Sequence, residues 1–368
     1  MRDERYDHYP QLEIDLGKLQ ENLAALQERC QVSGIKLAGV VKGFTAIPEA
    51  AKVFDRTGLD SIGSSRLEQL KRLRLSGVKT PLMMIRVPMR SEADQLVQWA
   101  DISLQSEISV LQATEEAAAR AGVGHKVILM ADLGDLREGF WDREELTSAA
   151  LAVEREMPHL ELLGVGTNLG CYGTIQATPE KMEELISIAE TVEAAIGRRL
   201  EVISGGSSSS VRMVLDGTMP KRINHLRVGE ALLLGRVWGC DMPFLHKDVF
   251  TLRAEVVEVK TKPSVPVGEL SVDAFGRTRT FVDRGRRRRA VLAMGRVDYG
   301  ECEDLIPREP GLIILGASSD HTLVDVQNTV RHIQVGDILE FDLCYATLVY
   351  LSHSESVQPV FRRDGQPQ

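Results

Sequence analysis

From Leu12 to about Gly235 the chain repeats one alternation, a short apolar and β-branched stretch followed by a longer amphipathic one. Nothing else in the sequence restricts the fold as much. A strand followed by a covering helix, repeated, builds a parallel sheet buried on both faces. Strand candidates follow in order as "IKLAGVV" (35–41), "LDSIG" (59–63), "PLMMIRV" (81–87), "DISLQ" (101–105), "KVILMAD" (126–132), "ELLGVGT" (161–167), "LEVIS" (200–204) and "LRVGEALLLG" (226–235). The first helix shows Leu16, Leu19, Leu23 and Leu26 on one face. Another, "TPEKMEELISIAETVEAAIG", has Thr178 as N-cap, Pro179 at its first position and Gly197 as its stop. Eight strands, each coupled to a helix, point to an α/β fold of the closed (β/α)8 TIM-barrel type rather than an open sheet.

After Gly235 the texture changes. "TLRAEVVEVKTK", "RRAVLAMG", "GLIILGAS", "TLVDVQ", "DILEFDL" and "ATLVYLS" read as short strands separated by Gly, Pro and Asp turns. The expectation is a barrel over 1–240 followed by a C-terminal antiparallel β domain over 241–368, with the tail "RRDGQPQ" frayed. A length of 368 residues suffices for both.

Composition narrows the partners. With 43% hydrophobic and 26% charged residues the chain is that of a soluble, folded protein. Lys+Arg 44 against Asp+Glu 53 gives a net charge of −9, which disfavours nucleic acid and anionic membranes. The basic run "RGRRRR" (284–289) therefore reads as a solvated edge or turn. Five cysteines, an odd number with no CxxC spacing, argue against a disulfide framework or a structural zinc site. The charged start "MRDERYDHYPQ" lacks the apolar core of a signal peptide, and no run is long enough to span a bilayer. The expected location is the cytoplasm.

Barrel enzymes carry their working residues where strands end and the following loops begin. Lys42 ends the first barrel strand. "DLGDLREG" (132–139), "TNLGCYG" (167–173) and "SGGSSSSVR" (204–212) follow the fifth, sixth and seventh, and Arg227 lies in the eighth. "SGGSSSS" reads either as a flexible polar loop or as an anion cradle of close-turning backbone N–H groups and serine hydroxyls. Its place between a buried strand and an amphipathic segment favours the cradle, with Gly229 and Glu230 as further amides. A lysine on the same rim as a phosphate cradle points to pyridoxal phosphate held as a Schiff base.

Together "VVKG", "DLGDLREG", "GGSSSS", "LRVGEALLLGR", "AMGRVD", "LGASSDH" and "FDLCYATLVYLSHS" resemble the fold-type III pyridoxal-phosphate enzymes of the alanine racemase superfamily. Within it they are most similar to the ornithine racemase-like branch. The resemblance implies that Lys42 binds the cofactor covalently and is one of two proton-transfer bases. It implies Arg137 near the cofactor's phenolic oxygen and Arg227 facing the pyridine nitrogen. Asn168 then lies by the ring, and Ser207, Ser208, Gly229, Glu230 and Tyr345 lie around the phosphate. A guanidinium keeps its proton, so the ring nitrogen would stay unprotonated, which favours racemisation over transamination.

Three positions depart from the alanine racemase pattern. Asn168 replaces a stacking histidine, Ala46 a tyrosine after the lysine, and Arg296 the tyrosine that serves as opposite-face base. Candidates for that second base are Asp298, Tyr299, Asp320 and His321. All lie in the β domain, which the resemblance implies docks on the barrel mouth of the other subunit of a homodimer. Asp320 and His321 lack an apparent third ligand, so no metal is expected there. The implied activity is racemisation of a basic amino acid, ornithine first. The alternatives are a pyridoxal-phosphate homeostasis protein without turnover, or a lyase such as an aldolase or decarboxylase.

Overall fold

The computed structural model describes residues 8–237, 239–273, 275–278, 280–363 and 366–367. The charged start at 1–7 and part of the terminal tail lie outside the described residues. A first strand, β1 (Gln11–Asp15), precedes eight more: β2 (Lys36–Val40), β3 (Ser61–Ser64), β4 (Leu82–Met84), β5 (Ile102–Gln105), β6 (His125–Met130), β7 (Leu160–Gly166), β8 (Val202–Ser204) and β9 (His225–Val228). Strands β2 to β9 are parallel neighbours in order, and β9 returns to pair with β2 (Lys36↔His225 to Gly39↔Val228), closing the barrel.

Because side chains alternate across a strand, one set fills the barrel and the other meets the helices. Ala38, Met83, Leu104, Ile128, Met130, Leu163 and Val202 pack together in one apolar cluster. Leu129, Val165, Ile203, Met182, Leu185 and Val192 belong to a second, larger one that includes the helix Pro179–Ile196. Each large side chain so buried contributes about 1.5–3 kcal/mol. Two histidines sit among them. His125 Nε2 lies 2.9 Å from Ser103 Oγ, and His225 Nδ1 lies 2.7 Å from Ser204 Oγ. Burial pulls their pKa values down to about 4 and about 3, so both imidazoles are neutral at physiological pH.

The chain divides into two units, one of 19–246 and one combining 1–18 with 247–368. This corrects the division expected at 1–240 and 241–368. Strand β1 pairs antiparallel with the long strand Phe250–Pro263 and parallel with Gln358–Arg363, so the start of the chain belongs to the second unit's sheet. That sheet orders Ile313–Ala317, Thr322–Asp325, Arg286–Leu292, Phe250–Pro263, β1 and Gln358–Arg363, with Ile338–Asp342 also on Phe250–Pro263. Apart from the parallel pair, its ladders are antiparallel.

Two local expectations are also corrected, and a third holds for part of its span. "LRVGEALLLG" is strand only to Val228, and Glu230–Leu234 is a helical turn begun at Gly229. "ATLVYLS" lies in the helix Tyr345–His353, which buries Thr347, Leu348 and Leu351 on one face. The Cys344 N–H donates to Thr347 Oγ1 at 2.9 Å and caps it. The arginine run is a solvated edge as far as Arg288: Arg284 and Gly285 precede the strand Arg286–Leu292, and Arg286–Arg288 pair with Phe250–Pro263 alone, the second ladder beginning at Arg289. Its guanidiniums are occupied: Arg287 with Asp325 at 2.8 Å, and Arg289 with the Ser264 carbonyl at 3.1 Å.

Candidate active site

Lys42 opens a single 3₁₀ turn, Lys42–Phe44, one residue after β2 ends. The next two residues, Thr45 and Ala46, take left-handed backbone angles (φ 52° and 53°), so the chain turns sharply off the barrel rim there. The lysine is half-buried. Burial is the main reason its amine titrates below 10.5; the charged or ionisable groups acting on it are, in decreasing order, Cys171, Arg137, Glu138 and Arg227. The loops after β2, β6 and β7 and the strand β9 thus bring their polar residues to bear on one amine.

Arg227 is 4% exposed. One guanidinium nitrogen donates to Ser204 Oγ and the other to the Thr167 carbonyl at 2.6 Å, which ties β9 to the ends of β8 and β7. Burial lowers its pKa to about 10, so it remains a cation at neutral pH. Arg137 forms a bidentate pair with the adjacent Glu138.

The serine segment is a built loop rather than a slack one. Ser210 Oγ donates to the Gly205 carbonyl at 2.7 Å, Ser209 Oγ to the Leu169 carbonyl at 3.2 Å, and Ser207 Oγ lies 3.2 Å from Ser209 Oγ. Ser208 Oγ accepts the Gly229 and Ala231 N–H groups, each at 3.3 Å, which places a hydroxyl among amides at the start of the turn Glu230–Leu234. A Cβ on Gly229 would stand 3.1 Å from the Val40 side chain, so the position accepts little beyond hydrogen.

Several contributors were not singled out from the sequence. Asp135, the second aspartate of "DLGDLREG", is 1% exposed. Its carboxylate accepts four N–H groups of the loop after β7: Gly170 at 3.0 Å and Ile175 at 3.3 Å on Oδ1, and Cys171 at 3.3 Å and Tyr172 at 3.0 Å on Oδ2. Gly173 presses on the same residue, since a Cβ there would come within 2.5 Å of the Asp135 carbonyl oxygen. On this loop Asn168 Nδ2 donates to the exposed Cys171 Sγ at 3.2 Å. A carboxylate spaced to meet the next loop has no local sequence signature, and a single cysteine amid polar residues has hardly more.

The proposed second bases lie in the other unit. Asp298 caps its own short helix: Oδ2 accepts the Gly295 N–H at 3.0 Å and Oδ1 the Ser354 hydroxyl at 2.9 Å. Tyr299 is fully buried, its hydroxyl lies 2.7 Å from Thr322 Oγ1, and burial pushes its pKa up to about 12. Asp320 is exposed and accepts the Ser319 hydroxyl at 2.5 Å, while His321 is exposed at the same turn. Arg296 is buried, pairs with Glu301 and stacks on Phe275 at 4.7 Å. Tyr345 is half-buried at the first position of its helix.

Residues 14–237 match the family model described as alanine racemase, N-terminal domain. The ornithine racemase of Acetoanaerobium sticklandii is 39% identical over 352 residues, covering 95% of this chain and 99% of that protein. The lysine racemase of Thermotoga maritima is 36% identical over 355 residues, covering 96% and 98%. Among solved structures, an alanine racemase of Clostridium difficile 630 matches with a TM-score of 0.73 at 18% identity over 99% of this chain and 98% of that one, a likeness of fold alone.

Proposed function

The chain belongs to the alanine racemase family, and on that premise we propose that it is a pyridoxal-phosphate-dependent racemase of a basic amino acid, ornithine before lysine. One observation carries the reading: a half-buried lysine just past a barrel strand, its amine held below the ordinary lysine pKa chiefly by burial, with Arg137, Arg227 and the carboxylate Glu138 acting on it electrostatically. The residues present fit the cofactor. Lys42, Arg137 and Arg227 outnumber Glu138 in positive charge, as an anionic ligand requires, and the glycine-lined cluster of Ser208 with the Gly229 and Ala231 amides suits a phosphate.

Lys42 would hold the aldehyde. Ser207, Ser208, Gly229 and Glu230 would hold the phosphate, with Tyr345 a further contact by resemblance. Arg137 would sit by the phenolic oxygen, Asn168 by the ring and Arg227 at its nitrogen. When bound, the cofactor supplies the electron sink that makes the substrate α-proton acidic. Lys42, partly desolvated, takes that proton or returns it on one face. Arg227 keeps its own proton, leaving the ring nitrogen without one and directing reprotonation to the α-carbon. We place the enzyme in the cytoplasm as a homodimer whose β units complete the sites. Among the described residues no helix is long and apolar enough to cross a membrane.

Incubating the holoprotein with L-ornithine, L-lysine and L-alanine in deuterated water tests the reading. The expected result is α-deuterium with inversion, with kcat/KM highest for ornithine. Retro-aldol products or carbon dioxide would make it a lyase, and bound cofactor without turnover across all amino acids would make it a binding protein.

A further inference from the structure

We infer that Ser204 and His225 are positioning residues for Arg227, joined to it in a hydrogen-bond chain with one direction: Arg227 N–H donates to Ser204 Oγ, and the Ser204 O–H donates to His225 Nδ1. What the positioned guanidinium does for the reaction rests on the racemase reading above; the chain itself does not. Backbone pairing sets it up. Ser204, the last residue of β8, stands in register with His225 on β9, and the Arg227 N–H donates to the Gly206 carbonyl at 2.9 Å. His225 and Arg227, two residues apart on one strand, project to the same side of the sheet.

The direction follows from the donors and acceptors present. Arg227 is buried, and among the described residues its side chain is held by two neutral acceptors, Ser204 Oγ and the Thr167 carbonyl. A guanidinium only donates, so Ser204 Oγ receives its N–H and must send its own hydrogen elsewhere. His225 Nδ1, 2.7 Å away, takes it. That requires a neutral ring with its proton on Nε2. The opposite tautomer would leave a buried hydroxyl hydrogen without an acceptor and turn the Nε2 lone pair toward the Asp60 carboxylate, whose Oδ2 lies 3.9 Å away. A cationic ring fails as well, because both of its nitrogens donate. Nε2 is buried with no hydrogen-bond partner among the described residues, so nothing competes for that tautomer from the far side of the ring. With Ser204 locked as an acceptor, two N–H groups of Arg227 are anchored, and the others are left for the cofactor's ring nitrogen.

Two measurements on the full-length protein test the assignment. Side-chain NMR of protein labelled with ¹⁵N-histidine, with His225 identified by the resonances missing from His225→Asn, should show the Nε2–H tautomer at pH 7 with and without pyridoxal phosphate. An Nδ1–H tautomer or a cationic ring would overturn the chain. In the holoenzyme, Ser204→Ala should lower kcat for ornithine racemisation by about 10- to 100-fold, the worth of one hydrogen bond to a charged group. It should also raise, by at least about tenfold, the 2-oxo acid released per inversion, because an unanchored guanidinium lets the ring nitrogen gain a proton and the substrate amino group then passes to the cofactor. His225→Leu should act in the same direction, and the double variant should be no worse than the poorer single, since both changes break one chain. His225→Asn, whose amide oxygen can accept close to the place of Nδ1, should recover more than half of the loss that leucine causes. Additive losses, an unchanged yield of oxo acid, or asparagine no better than leucine would reduce both residues to packing and overturn the positioning role. If the parent itself racemises nothing, it is the racemase reading that fails, and the tautomer result still decides the chain.

Discussion

Lys42→Ala is expected to abolish racemisation, with a loss of at least about 10,000-fold, because it removes both the covalent anchor and one proton carrier. The fold should survive. Burial holds the Lys42 amine below 10.5, so the unfolded chain binds this proton more tightly than the native one, and native stability rises with pH across the window that ends at 10.5. Below that window the ammonium costs stability. The apo Lys42→Ala protein should therefore be at least as stable as the apo parent at pH 7, and should lack the part of the parent's gain on approaching pH 10.5 that is due to this residue. Denaturant titrations at both pH values check this, alongside absorbance of the reconstituted protein. A variant that keeps the cofactor's yellow absorbance and turns over would remove Lys42 from the site.

The second large effect is expected at Asp135. Alanine there strands four N–H groups of the loop that carries Cys171. Losing hydrogen bonds to a carboxylate at this position should cost about 2–4 kcal/mol. Displacing the loop by even an ångström should lower kcat by about 100-fold. Asparagine should recover less than half of either loss, since its amide offers one acceptor and turns a donor toward two more N–H groups. Desolvation raises the Asp135 pKa, but the four N–H donors outweigh it and hold the carboxyl below 3.8. Its stabilisation is thus complete above 3.8 and is lost only as pH falls through the lower folded value. Unfolding midpoints and steady-state rates of the two variants at pH 7 and pH 5 check both statements. A variant as stable and as active as the parent would free the loop from this carboxylate.

The barrel was legible because β-branched runs alternating with amphipathic ones admit few other closures. All eight strand candidates overlap barrel strands, four of them missing one end residue, and the last was read too long. "EALLL" and "ATLVYLS" are apolar runs too short for period to separate strand from helix. Their answers came from Gly229 and from the Cys344–Thr347 cap. The pairing of β1 with strands far along the chain leaves no local trace. The same holds for the site. Lys42 stands out as a charge just past a buried strand and Arg227 as one within a buried strand, whereas Asp135 acquires meaning only once two loops meet. The β-unit candidates looked reactive by residue type, and Asp298 and Tyr299 prove to be occupied with capping and core hydrogen bonding.

The central claim is that Lys42 carries the cofactor. Reducing the native holoprotein with borohydride, digesting it and mapping the peptides by mass spectrometry tests this directly. The account predicts the pyridoxyl mass on the peptide containing Lys42 and on no other. Its appearance on a different lysine, or its absence from every peptide of a fully reconstituted sample, would contradict it.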